Sequence, residues 1–156
     1  MTLSPLLRSL LAGLAGTCAH FALMFLKTRL DIVPGFQPYA ELQRGVALAT
    51  GASLSAPLAY ALTFFNGAVV LGLVFGRIFR RLPGQTPLAK GLFFALCAWA
   101  AAGCVMFPLL GRGPFAWGLG LGFAPAILML VMLSVYSLAM SYAYAVLTEH
   151  GGVSRP

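Results

Sequence analysis

PLLRSLLAGLAGTCAHFALMFL, residues 5–26, decides what kind of protein this is. One cation, Arg8, lies near its start, and beyond it only Ser9, Thr17 and His20 interrupt a run of apolar and small residues. About 20 such residues suffice for a helix to cross a hydrocarbon core about 30 Å thick. The run is too long for the apolar core of a cleavable signal. Thr17 also precedes Cys18, where a lipoprotein signal carries Gly or Ala. We therefore read residues 5–26 as an uncleaved transmembrane span.

The rest of the chain agrees. Of 156 residues, 60% are hydrophobic and 8% charged, with a mean hydropathy of +0.92. Soluble domains carry about 25% charged residues, and a small globule leaves too much surface in water to hide so apolar a composition. Lipid is the solvent for most of these side chains. Further spans fall at about 57–79, 88–110 and 125–147, giving an all-α membrane protein with four transmembrane helices in one compact bundle and a single membrane domain.

The connections are read from turn residues and charge. Pro34-Gly35 marks a turn, and Pro38 opens a short helix over about 38–50. Tyr39, Leu42, Val46 and Ala49 fall on one face of it, with Glu41 and Arg44 opposite, so it is expected to lie along the membrane interface. LPGQTP, residues 82–87, is a tight polar turn. Residues 115–147 are too long for one span. Gly118, Gly120 and Gly122 weaken helix at their start, so residues 115–124 are expected to form an interfacial loop with Phe115 and Trp117 as headgroup-level anchors.

The net charge is +7. The cations cluster at span ends, which points to anionic lipid headgroups as partner, through Arg77, Arg80, Arg81 and Lys90, and away from nucleic acid. With Arg8 and Arg155, the second-loop side holds six cations; Lys27, Arg29, Arg44 and Arg112 lie on the other. The density in the short loop places that loop and both termini in the cytoplasm, and the expected location is a bacterial inner membrane. Lys27 and Arg29, just after the first span, argue for the opposite orientation.

Between helices in lipid, small residues mark the seams. The first span offers Ala12 and Gly16; the second Ala68, Gly72 and Gly76; the third Ala95, Ala98 and Ala102, with Gly103 beside them; the fourth Ser134, Ser137 and Ser141, with Ala145 beyond. Cys18, Cys97 and Cys104 lack metal-ligand spacing and are expected to be small buried side chains.

Polar groups at membrane depth need partners. Helix rise places His20, Asn66 and Ser134 in the same leaflet, so these three are expected to form one polar cluster. Two readings of His20 stand side by side. In one it hydrogen-bonds Asn66, a serine or a carbonyl between helices. In the other it ligates the metal of a haem or bacteriochlorophyll, with Gly16 one turn away making room for the macrocycle. A bis-histidine haem is excluded, because His150 lies beyond the last span. No carboxylate lies at membrane depth, GLGLG lacks the setting of a phosphate loop, and no catalytic set is visible. Asp31 is expected to pair with Lys27 on a solvated face.

GAVVLGLVFGRIF and LPGQTPLAKGLFFALCAWAAAGCVMFPLLGRGPFAWG carry a G-x-V-F-G helix end, a basic turn, a K-G helix start and a PLLG-x-G-x-F loop. This middle half of the chain resembles uncharacterised families of small four-helix bacterial inner-membrane proteins. The resemblance implies the architecture and no activity. On these grounds the chain reads first as a non-enzymatic accessory or structural subunit, packed against partner membrane subunits or a second copy. It reads second as a haem- or chlorophyll-type protein using His20. A third reading is a small transporter or quinone-site protein, with Tyr39, Gln37 and Arg44 near the interface.

Overall fold

Proline punctuates the chain. A computed structural model describes residues 3–149, and each long helix in it has a proline at its first or second position. There the missing N–H costs nothing and the fixed φ suits the helix. Helix α1 runs Pro5–Arg29, capped by Ser4, whose hydroxyl accepts from Leu7 N at 3.2 Å. Helix α2, Pro38–Thr50, ends at Gly51 in the left-handed region (φ 71°). The second span, Ala56–Ile78, comprises α3 (Ala56–Phe65), a π-helical segment (Asn66–Leu71) and α4 (Gly72–Ile78). The third, Pro87–Leu109, comprises α5 (Pro87–Ala101), a second π-helical segment (Ala102–Met106) and α6 (Phe107–Leu109). A 3₁₀ turn, Pro114–Leu119, precedes α7, Ala124–Glu149.

Four helices are thus long and apolar enough to cross a membrane, and the described residues contain no strand. This is an all-α, multi-pass membrane protein. His150 and Arg155, used above in placing the last span and the charges, lie outside the described residues.

The π-helical segment of the third span has a local cause. Pro108 cannot donate to the carbonyl four residues back, and its ring crowds that carbonyl. The wider π turn over Ala102–Met106 relieves the conflict. The π turn of the second span has no proline behind it and lies beside the Gly67–Tyr136 contact.

Helix α1 is central. It packs on the second span along one side and on α7 along the other, and α7 carries the third span in turn. The seams are backbone-close. A Cβ at Gly13 would stand 2.9 Å from Gly72 Cα, one at Gly72 2.7 Å from Ser9 O, and one at Gly91 3.1 Å from Ser137 O. Such approach lets dispersion and local polar bonds hold helices together where lipid supplies no hydrophobic drive. Ser141 Oγ donates to Pro87 O at 2.7 Å, and Trp99 Nε1 to Ala126 O at 2.8 Å. The second span meets the third through Phe75, edge-on to Phe94 at 5.1 Å, and its end meets α7 through Phe79 against Tyr144 at 4.7 Å.

Several expectations are corrected. Helix α1 continues to Arg29, three residues past the expected end, and Lys27 is 2% exposed instead of marking the water side. Helix α2 turns Glu41 inward: it is the buried residue of that helix, while Leu48 is 62% exposed. The reason is Arg112 in the third loop, whose Nε and Nη2 grip the Glu41 carboxylate at 2.8 and 2.9 Å. The Glu41 hydrogen bond and charge raise the Arg112 pKa. Asp31 and Lys27 form no ion pair among the described residues. Phe115 is not a free headgroup anchor; its ring lies 4.5 Å from Trp99 and fills the space that a Cβ at Gly103 would need. Phe115 and Ala116 pay for this with left-handed backbones (φ 51° and 61°), and Ala116 is fully buried in a small core with Phe36 and Phe107. Cys18, Cys97 and Cys104 are all exposed on outer helix faces, not buried in seams.

Candidate functional site

Thr17 and His20 stand one turn apart on the inner face of α1. Thr17 turns its hydroxyl back to Gly13 O at 2.8 Å, as hydroxyls in apolar helices do when no other partner is near. Opposite it is Gly67, where a Cβ would lie 2.6 Å from Thr17 Oγ1. A side chain at 67 would push the second span away. Gly67 is also the second residue of the π turn, and its carbonyl accepts the Tyr136 hydroxyl of α7 at 2.8 Å. A π turn leaves carbonyls imperfectly used within the helix. Here the Gly67 carbonyl meets a buried phenol that needs an acceptor. The bond ties the second span to α7 across the face of α1.

Just beyond this junction the helices leave a cavity of about 130 Å³. Its walls are Thr17, His20 and Phe21 of α1, Thr63, Asn66 and Leu71 of the second span, and Leu133 and Tyr136 of α7. The third span contributes no lining residue. Asn66 is exposed at the rim, and His20 is half-buried. The imidazole meets Phe21 and Tyr136 edge-on, with ring centroids at 6.2 and 6.5 Å. Among the described residues neither the His20 imidazole nor the Asn66 amide has a protein hydrogen-bond partner.

The expected cluster is thus corrected in two ways. His20 and Asn66 do face one space, but Ser134 does not line it; Leu133 and Tyr136 supply the α7 wall. And His20 is not satisfied by an interhelical hydrogen bond. Gly16 likewise has another use: a Cβ there would lie 2.8 Å from Tyr136 O and 3.1 Å from Met140 Cβ. The room assigned to a macrocycle is filled by α7. At about 130 Å³ the chamber is smaller than the roughly 300–1,000 Å³ of ordinary small-molecule sites.

A second chamber of about 300 Å³ adjoins it toward the first loop, lined by Met24, Phe25, Thr28, Gln37, Tyr39 and Tyr60. Phe21 borders both. The Tyr39 and Tyr60 rings lie 4.1 Å apart, and the Tyr39 hydroxyl is buried without a partner. Burial, with Tyr60 beside it, pushes the Tyr39 phenol up to about 12. Gln37 and Tyr39, read from the sequence as interfacial, meet here. Arg44 does not; its Nε donates to Leu110 O at 3.2 Å, across the mouth of the third loop.

A family model of unknown function matches residues 3–154. The chain belongs to DUF6789. No curated protein and no solved structure matches it. Membership in DUF6789 therefore brings no activity to these residues, and the chemistry of the site rests on its own geometry.

The remaining residues singled out from the DUF6789 sequence divide by role. Ala68 and Gly72 are buried against α1, and a Cβ at Gly76 would collide with Ser9. Arg77, Arg80 and Arg81 are exposed at the end of the second span. Lys90 is not free for headgroups: its Nζ donates to Phe79 O at 2.9 Å and sits 4.3 Å above the Phe79 ring. The sequence pattern missed Ser9 and Gly13, the true contacts of α1 with the second span, and Tyr136. The register Ser9, Gly13, Thr17 was visible as small residues four apart, and only the choice of partner was not.

Proposed function

We propose that this protein is a non-enzymatic membrane protein that binds one lipophilic ring compound bearing carbonyl or hydroxyl groups, of quinone type, between α1, the second span and α7. The observation behind this reading is the pairing of His20 and Asn66 on one cavity at membrane depth with no protein partner for either. A polar group left unsatisfied in hydrocarbon costs free energy, so a bound acceptor is favoured there. The imidazole N–H and the amide NH₂ are donors that suit ring carbonyls. The open rim at Asn66 would let an apolar tail leave toward lipid, and the adjoining Tyr39 chamber offers a way in from the interface.

The test is equilibrium binding of a short-tailed benzoquinone to the protein in nanodiscs. Saturable binding is expected, and His20→Leu and Asn66→Leu should each weaken it about 5- to 10-fold, the worth of one hydrogen bond. Unsaturable partitioning, or the same affinity in both variants, sinks the reading.

A second reading has its own support. The second and third spans have only 28% and 22% of their apolar windows buried, and Phe64, Phe65, Phe93 and Leu96 are exposed. Those faces suit a partner membrane subunit or a second copy, with the protein as an accessory component. Co-purification of a fixed partner in mild detergent tests this; a chain isolated as a lone monomer refutes it. For orientation, the second-loop side carries Arg8, Arg77, Arg80, Arg81 and Lys90, three of them packed into residues 77–81, against Lys27, Arg29, Arg44 and Arg112 on the other side. That asymmetry supports a cytoplasmic second loop in a bacterial inner membrane.

A further inference from the structure

The opposite leaflet holds a groove that the His20 site does not use. It runs along the outer flank of the seam between α1 and α4 and encloses about 460 Å³. Leu6 and Ser9 form one wall, Leu73 and Val74 the other, and Tyr144 closes it from α7. Gly76 keeps the floor low, because any side chain there would strike Ser9. The Tyr144 hydroxyl is already turned to Gly76 O at 3.3 Å. The lining is therefore apolar over most of its length, with Leu6 59% and Val74 45% exposed at its lips.

One end differs. Arg77, one turn beyond Leu73, is the charged residue lining the groove, and it is exposed. A turn of helix rises about 5.4 Å, so the groove passes from the hydrocarbon to headgroup level within its own length. Arg80 and Arg81 follow at that level, both exposed. Lys90 is engaged with Phe79, and Glu149 is the described acid at this end of the bundle. An apolar slot ending in a free guanidinium, beneath two further cations, matches a molecule with a long apolar chain and an anionic head. Arg in particular suits phosphate, through its planar fork of donors.

We propose that this groove holds one acyl chain of an anionic phospholipid, with the lipid phosphate on Arg77. A free phosphate would not use the apolar walls, and a zwitterionic lipid would gain little from the surrounding cations. The site is separate from the His20 cavity and does not depend on what that cavity binds.

Native mass spectrometry of the full chain, released from detergent with phosphatidylglycerol or with phosphatidylcholine of the same chains, tests this. One phosphatidylglycerol should be retained about fivefold more tightly than phosphatidylcholine, as expected for one cation near an anionic head. Arg77→Gln should erase that difference. Val74→Trp, at the exposed lip, should lower retention of both lipids by filling the slot. Arg44→Gln, at the other membrane face, should change neither. Equal retention of the two lipids by the unmodified chain would overturn the proposal. So would an Arg77→Gln variant that keeps the preference, or an Arg44→Gln variant that loses it equally, since either outcome makes the attraction diffuse.

Discussion

Gly13→Leu tests the central packing. The α1 backbone meets the second span at Gly13 and Gly72, and already a Cβ at Gly13 would lie 2.9 Å from Gly72 Cα. Non-bonded carbons rest about 3.5–4.0 Å apart, so the difference from 2.9 Å demands a separation of about 0.6–1.1 Å before the rest of the leucine is placed. The obstructing atoms are backbone, Gly72 Cα and the Ala68 carbonyl, and cannot rotate aside. Overpacking a tight seam costs about 1–3 kcal/mol, and the upper end applies when backbone is the obstacle. Replacing glycine within a helix returns about 0.8–1 kcal/mol of propensity. The net expectation is a loss of about 1–2 kcal/mol. Reversible unfolding in bicelles, followed by Trp99 fluorescence, measures it, with Leu14→Ala on the lipid-facing side of α1 as control. The separation should also draw Gly67, one turn along, away from the Tyr136 hydroxyl. Stability equal to that of the unmodified chain would show that the helices do not meet at these glycines, and the cavity walls would have to be redrawn.

Other outcomes follow from the same geometry. Tyr136→Phe removes the hydroxyl bonded to Gly67 O and should cost about 0.6–1.7 kcal/mol, with faster amide exchange in residues 66–71; unchanged exchange would count against the bond holding the π turn. Arg112→Gln and Glu41→Gln break a bidentate pair between the first and third loops, worth about 1.5–3 kcal/mol when well shielded. A double-mutant cycle near zero would place the pair in free solvent. Tyr39 should titrate near 12 instead of its ordinary 10, seen as the tyrosinate absorbance lost in Tyr39→Phe. Because the folded pKa is the higher one, its contribution to stability is full below pH 10 and falls as pH rises from 10 to 12. Gly103→Ala should drive the Phe115 ring off Trp99 and shift tryptophan emission; an unchanged spectrum would mean the third loop packs elsewhere.

Architecture was legible because hydrophobic runs of span length and proline-led helix starts are local signals. They depend on what each segment must bury, not on its neighbours. The small-residue stripes were legible for the same reason. What each stripe faced was not: Gly16 served α7, while Gly13, passed over, served the second span. The amphipathic pattern of α2 misled, because Arg112, 71 residues away, drew Glu41 inward. The two π turns also escape a 3.6-residue periodicity by construction.

Residues 5–26 alone are long and apolar enough to cross a bilayer as one helix, a property that depends on no other part of the chain. Helix rise also places His20 and Asn66 in one leaflet, because it depends on each span alone. Tertiary structure alone decides that the two face one space, that Ser134 does not, and that Gly16 leaves no room for a macrocycle. Rise sets depth along a helix, but the direction a side chain faces depends on how neighbouring helices are rotated, and that is set by contacts between residues far apart in the chain.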